Sequence, residues 1–229
     1  GLTFLYPMYL AQIRGYDALM IGETMFVSGL AMFLTAPVAG RMAAKADPRL
    51  MLMSGFLLFA VGTWWMTYVT KDWDFGELFW PQIFRGVGMM LAIVPITNTA
   101  LGTLPAERVK NASGLFNLMR NLGGAVGLAA LNTLLDDRID LHLARLHESV
   151  NWARRPAVET LSALAQRFHG NSDADAMALK QLTAMVHQQG TVMGFADVFF
   201  ALTVLFVALA ALAVLMKRPT AAPAGGGGH

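Results

Sequence analysis

Five apolar stretches dominate this chain, at residues 18–40, 50–70, 79–104, 113–135 and 192–216. A helix rises 1.5 Å per residue, so roughly 20 residues cross a hydrocarbon core about 30 Å thick. Each stretch is long enough. The only basic residues in them are Arg85, near one end of the third, and Arg120, inside the fourth. The rest of the composition agrees with lipid as the solvent. Only 14% of residues are charged, against about 25% in a typical soluble domain, and the mean hydropathy is +0.49. Too little polar surface remains to cover a domain of 229 residues in water. The expected fold is an all-α polytopic membrane protein. The opening run GLTFLYPMYLAQ is apolar but too short to span, and it lacks the basic start and cleavage site of a secretory signal. It reads as the second half of a helix, which makes the chain an expected fragment.

The same composition argues against several functions. A net charge of +2 gives no electrostatic footprint for nucleic acid. Without cysteine there is no disulfide or thiolate metal site, and the five histidines show no HExxH-like spacing. No Gly-rich phosphate loop, GxSxG motif or paired intramembrane Asp or His is seen. Neither a metal, a cofactor nor an enzyme activity is expected.

Orientation follows from Lys and Arg in the short connections. Alternate connections hold Arg41, Lys45 and Arg49, then Arg108 and Lys110, then Lys217 and Arg218; the opposite ones hold only Arg14 and Lys71. The first set is expected to be cytoplasmic, with the C-terminus inside and the first partial helix running outward. Trp64, Trp65, Tyr68, Trp73 and Trp80 fall at the expected outer interface, as an aromatic belt does.

The expected organisation is therefore a membrane part over 1–135, a long outer connection over 136–191, a last span over 192–216 and a disordered cytoplasmic tail over 217–229. The connection is not featureless. Ile139, Leu143, Leu146 and Val150 recur at helical spacing, as do Val158, Leu161, Ala165 and Phe168. Ser172 and Asp175 form an N-terminal capping pair before a further helix at 176–189. Two or three short amphipathic helices are expected, packed on each other and on the membrane surface or docking a partner.

A charge at membrane depth costs several kcal/mol on insertion scales, about 3 for Arg, so such residues are functional candidates. In the fourth stretch Asn117 and Asn121 lie four apart on one face beside Arg120, and Gly114 and Gly124 extend that stripe. Leu118, Leu122 and Val126 form the opposite, lipid-facing stripe. Arg120 has two readings, an anchor that snorkels to the cytoplasmic interface or a cation facing a water-filled cavity. Gly123 and Gly127 are spaced for close helix approach. Asn98 follows Pro95, whose missing N–H breaks the helical ladder. Asn98, Asn117, Arg120 and Asn121 are the candidates for lining a substrate cavity. Glu23 and Arg85 are the candidates for proton or cation contact, Arg85 by pairing with a carboxylate on a neighbouring helix. Asn132 and Asp197 are expected at the outer interface.

These features stand in a familiar order. FLYPMYLAQIRGYDAL, then FLTAPVAGRM, then RGVGMMLAIVPITNTALGTLPAERVKNASGLFNLMRNLGGAVGLA, a long outer connection and a last helix with a basic end together resemble the C-terminal half of EmrB/QacA-type drug:proton antiporters. These are the fourteen-helix branch of the major facilitator superfamily. The resemblance covers essentially the whole chain and is most specific from Arg85 to Ala129. It implies the C-terminal bundle of a proton-coupled multidrug efflux transporter of the bacterial inner membrane. Its substrates would be hydrophobic small molecules, its partners protons, the absent N-terminal bundle and a periplasmic adaptor. One element departs from the pattern. In GRMAAKADPRL, Gly40 is kept but Ala44 stands where the superfamily motif has an acid, which removes that charge pair from this half. The alternatives are a major facilitator for another small solute, and a non-transporting membrane scaffold acting through the outer connection.

Overall fold

In the computed structural model, residues 1–101, 106–149, 155–167 and 173–215 are described. The tail, Val150, Phe168 and Ser172 lie outside them. Among the described residues there are seven helices and no strand: α1 Leu2–Ile13, α2 Ala18–Ala43, α3 Pro48–Met66, α4 Phe75–Leu101, α5 Ala106–Ser149, α6 Arg155–Arg167 and α7 Ala174–Leu215.

Local sequence explains the helix starts. Asp17 caps α2 by accepting from the Met20 N–H at 2.9 Å. Asp47 caps α3 by accepting from the Arg49 N–H at 3.1 Å, with Pro48 at the first position, where no N–H is needed. Between α1 and α2 the chain reverses at Gly15, which adopts φ 66°, a left-handed conformation costly for other residues.

α3 lies between α4 and α7, α2 packs on the far side of α4, and α5 packs on α7. α1 sits against α7 and buries Leu5, Tyr6, Tyr9 and Leu10 almost completely. Edge-to-face ring pairs fix it there: Tyr6 with Phe199 at 5.6 Å and Tyr9 with Phe195 at 5.8 Å. Phe59 of α3 stacks on Phe206 of α7 at 4.8 Å. The Thr203 hydroxyl of α7 donates to that of Thr63 at 2.9 Å, and Thr63 donates to the Phe59 carbonyl at 2.8 Å. Both hydroxyls are thus satisfied without water, as an interior in lipid requires. The outward faces carry large apolar side chains, among them Phe26, Phe33 and Leu34 of α2, all exposed to whatever surrounds the bundle.

Two findings differ from the sequence reading. First, among the described residues four helices are long and apolar enough to cross a membrane, namely α2, α3, α4 and α7. α5 has the length, but Asn117, Arg120, Asn121 and Asn132 hold its hydropathy down. Second, most of the 136–191 connection is continuous with the flanking helices. α5 runs on to Ser149 and α7 starts at Ala174, leaving α6 as the separate helix between them. Neither 128–149 nor 174–189 contains Gly or Pro, so nothing in the sequence stops those helices. At 44 and 42 residues they are about 66 and 63 Å long, roughly twice a hydrocarbon core. A helix of that length that crosses such a core projects beyond it by about half its length. The projecting halves leave from the end that carries Arg14 and Asp74, since Gln188 of α7 donates to the Ile13 carbonyl at 3.1 Å.

Candidate functional site

Among the described residues of the membrane-spanning candidates, Arg85 is the charged side chain buried in the bundle interior. Arg85 lies on α4 about 15 Å from the start of that helix, and it is 8% exposed. Its Nη2 donates to the Ser28 hydroxyl of α2, which donates in turn to the Met25 carbonyl at 2.9 Å. Its guanidinium lies 5.1 Å from the centroid of the Tyr6 ring on α1. The buried Nη1 has no partner. One helical turn earlier, Gln82 is 0% exposed. Its Nε2 meets only the thioether of Met25, a weak acceptor, at 3.2 Å, and its Oε1 has no partner.

Packing brings these groups together. Gly86 lets α4 lie against α2: a Cβ there would sit 2.5 Å from the Ser28 carbonyl and 2.7 Å from the Ala31 Cβ. Among the described residues Arg85 forms no ion pair, so the carboxylate partner expected on a neighbouring helix is replaced by a hydroxyl and a ring face. Glu23 is not that partner. It is exposed, and five residues from Ser28 it points about 140° away around α2.

The other expected candidates lie apart from Arg85. Asn98 is exposed on α4, and Thr97 rather than Asn98 bonds locally after Pro95, donating to the Ile93 carbonyl at 2.9 Å. Asn117, Arg120 and Asn121 share α5, but every residue from 117 to 127 is exposed, including the apolar stripe of Leu118, Leu122 and Val126. No described helix covers either face of that segment. A Cβ at Gly123 or Gly127 meets nothing within 4 Å.

Sequence reasoning missed the network at the other end of α5. Arg138 and His142 both reach Asp197 of α7, at 3.6 and 2.9 Å. Two glycines of α7 permit that approach: added Cβ atoms at Gly190 and Gly194 would meet Leu143 at 2.7 Å and Ile139 at 2.5 Å. Nearby, an open cavity of about 920 Å³ is lined by Met8, Gln12, Asp136, Met185, His187 and Gln188 among others. Gln82 carried a legible signal, three residues before Arg85 on the same helical face. Ser28 carried none, because a lone hydroxyl is common in apolar helices.

Comparison with known proteins gives the relatives of this chain. A family model for the Major Facilitator Superfamily matches residues 1–135. The chain is similar to the colistin resistance protein EmrB of Acinetobacter baumannii, 34% identical over 221 residues that make up 95% of this chain and 43% of that protein. It is similar to the fatty acid resistance protein FarB of Neisseria gonorrhoeae, 32% identical over 229 residues, 100% of this chain and 44% of that protein. It is also similar to the multidrug export protein EmrB of Escherichia coli K12, 30% identical over 229 residues, again 100% and 44%. The chain thus spans less than half the length of the curated relatives it matches.

Proposed function

Because the chain belongs to the Major Facilitator Superfamily, we propose that it is the C-terminal helical bundle of a proton-coupled multidrug efflux transporter in the bacterial inner membrane. The observation that carries this reading is the pairing of two features. A multi-pass helical bundle holds a buried guanidinium with no acid beside it among the described residues, and its α5 presents Asn117, Arg120 and Asn121 with no described helix over them. A transporter that binds substrate near the midplane between two rocking bundles needs such polar, uncovered surface. Relatives named for multidrug export and for colistin and fatty acid resistance support a substrate range of hydrophobic and amphipathic small molecules. The activity is transport, not catalysis.

In this reading Asn98, Asn117, Arg120 and Asn121 line the cavity, and α5 crosses the membrane despite its polarity because one face meets the opposing bundle. Glu23 contacts protons or cationic substrate, and the C-terminus is cytoplasmic. The test is efflux by the longer protein in cells stripped of their own exporters, over a panel of hydrophobic cations and weak acids. Several-fold protection that a protonophore abolishes is the expected result; no protection against any compound sinks the reading. Arg120→Gln separates the two roles of that residue. A working cavity residue loses efflux at normal expression, whereas an interfacial anchor loses expression.

One observation favours a second role. The projecting halves of α5 and α7, with α6 packed on α7, form a helical outer domain suited to docking a periplasmic adaptor. Deleting 136–191 tests it: loss of adaptor binding with folding retained supports docking, and export unchanged by the deletion rules it out.

A further inference from the structure

This inference goes beyond transport and rests on the membrane placement of the helices, with the turn between α2 and α3 at one face of the bilayer. We propose that this turn binds the head group of an anionic phospholipid, with Arg41, Lys45 and Arg49 as its cationic contacts.

The turn is short. α2 ends at Ala43 and α3 starts at Pro48, so the three cations flank a single reversal of the chain. One acid stands among them, Asp47, and its carboxylate accepts from the Arg49 N–H at the start of α3. Ala44 occupies the position where an acid would add a second negative charge. Among the described residues, no acid lies within ion-pair distance of any of the three cations. The other end of α2 differs, since Arg14 there has Asp74 at 3.2 Å. Arg41 and Lys45 are exposed, and Arg49 is half-buried. The Arg49 Nε is shielded from solvent and has no hydrogen-bond acceptor. Packing rather than an acid therefore holds that side chain in place, and its charge is left for an anion from outside.

The surroundings identify the anion. Arg41 stands at the end of a face of α2 that carries Leu34, Val38 and Met42, four residues apart and all exposed. From Leu34 to Met42 is about 12 Å, most of the roughly 15 Å hydrocarbon depth of one leaflet. Leu50 is exposed on the α3 side of the turn. An apolar stripe that ends in cations matches a molecule whose hydrocarbon chain ends in an anion. A soluble phosphate would leave the stripe unused. A zwitterionic amine lipid would bring a cation of its own against three others. A phosphodiester with one net charge offers two free oxygens to the guanidinium fork. Attraction to an anionic leaflet amounts to about five-fold in affinity for each surface Lys or Arg.

The test uses the full-length protein in phosphatidylcholine liposomes doped with a phosphatidylglycerol that carries a diazirine near its head-group end. After photolysis, mass spectrometry locates the adducts. A phosphatidylcholine bearing the same diazirine is the control. Both probes occupy both leaflets, so the result does not depend on which way the protein is inserted. Residues 34–50 are expected to take at least about five-fold more adduct from the phosphatidylglycerol probe. Arg49→Gln should lower that adduct by about five-fold, the effect of one surface cation. Ala44→Asp should lower it as much by placing an acid in the turn, and Ala44 is exposed, so the fold accommodates the change. Lys110→Gln, at the start of α5, should leave it unchanged. If Arg49→Gln fails to fold, Ala44→Asp decides alone. Equal labelling by the two probes overturns the proposal and leaves these charges as topology signals only. So does labelling that survives Ala44→Asp, or a loss in Lys110→Gln as large as in Arg49→Gln. Labelling abolished by excess glycerol 3-phosphate also overturns it, because the turn would then serve a soluble anion. The readout is lipid contact and not efflux, so failure of the transport reading leaves this result standing.

Discussion

Asp197 joins two helices through one oxygen, which receives His142 at 2.9 Å and faces Arg138 at 3.6 Å. Asp197 and Arg138 are partly exposed, though His142 is buried, so the coupling is modest. Asp197→Asn should lower the stability of the α5–α7 pair by about 1 kcal/mol, read as a lower midpoint in thermal unfolding of the detergent-solubilised protein. The loss should shrink in high salt, because screening already weakens an exposed pair. Arg85 presents the opposite case, a charge buried with no acid beside it among the described residues. The sequence made its charge conspicuous, since arginine is rare at membrane depth. Its partners were not legible, because Ser28 and Tyr6 stand among apolar residues on helices whose packing no spacing rule specifies. Asp197 was read as interfacial for a related reason. His142 lies 55 residues earlier, in a segment whose helix had not been joined to the span before it.

At the scale of elements, small residues decide which helices approach. Gly55 and Gly88 let α3 and α4 touch backbone to backbone; a Cβ at Gly55 would lie 2.9 Å from both the Ala92 nitrogen and the Gly88 carbonyl oxygen. Neither atom can swing aside, so Gly55→Ala should destabilise the bundle by about 1–3 kcal/mol. Gly127→Ala should behave differently in this chain. It meets no neighbour and removes a flexible residue from a helix interior, which stabilises by about 0.5–1 kcal/mol. Thermal unfolding of the two variants beside the wild type checks both. The contrast explains how the sequence reading succeeded and failed here. A GxxxG spacing was recognised at Gly123 and Gly127, where nothing packs, and overlooked at Gly190 and Gly194, where α5 does. The overlooked pair straddles residue 192, the expected edge of the last span. A helix assumed to begin there hides a motif that crosses its start. The apolar runs of α2, α3, α4 and α7 were legible because hydropathy alone identifies helices in lipid. The reach of α5 and α7 beyond the membrane was not, because polar composition was taken as a sign of separate short helices.

For the molecule as a whole, family and fold were legible from the ordered motifs between Arg85 and Ala129, while the surroundings of α5 were not. That helix carries an amphipathic pattern, with Asn117 and Asn121 on one side and Leu118 and Leu122 on the other. Yet both sides are exposed in the chain by itself. A pattern states which face needs a polar neighbour, not which neighbour supplies it. The chain spans under half the length of its relatives, and alternating access requires two bundles facing one cavity. Reconstitution in liposomes under an imposed proton gradient separates the part from the whole. The full-length protein should accumulate a fluorescent hydrophobic drug in proportion to the gradient, and the 229-residue chain should accumulate none. Gradient-driven transport by the short chain alone, or its absence in the full-length protein, would contradict a two-bundle exporter.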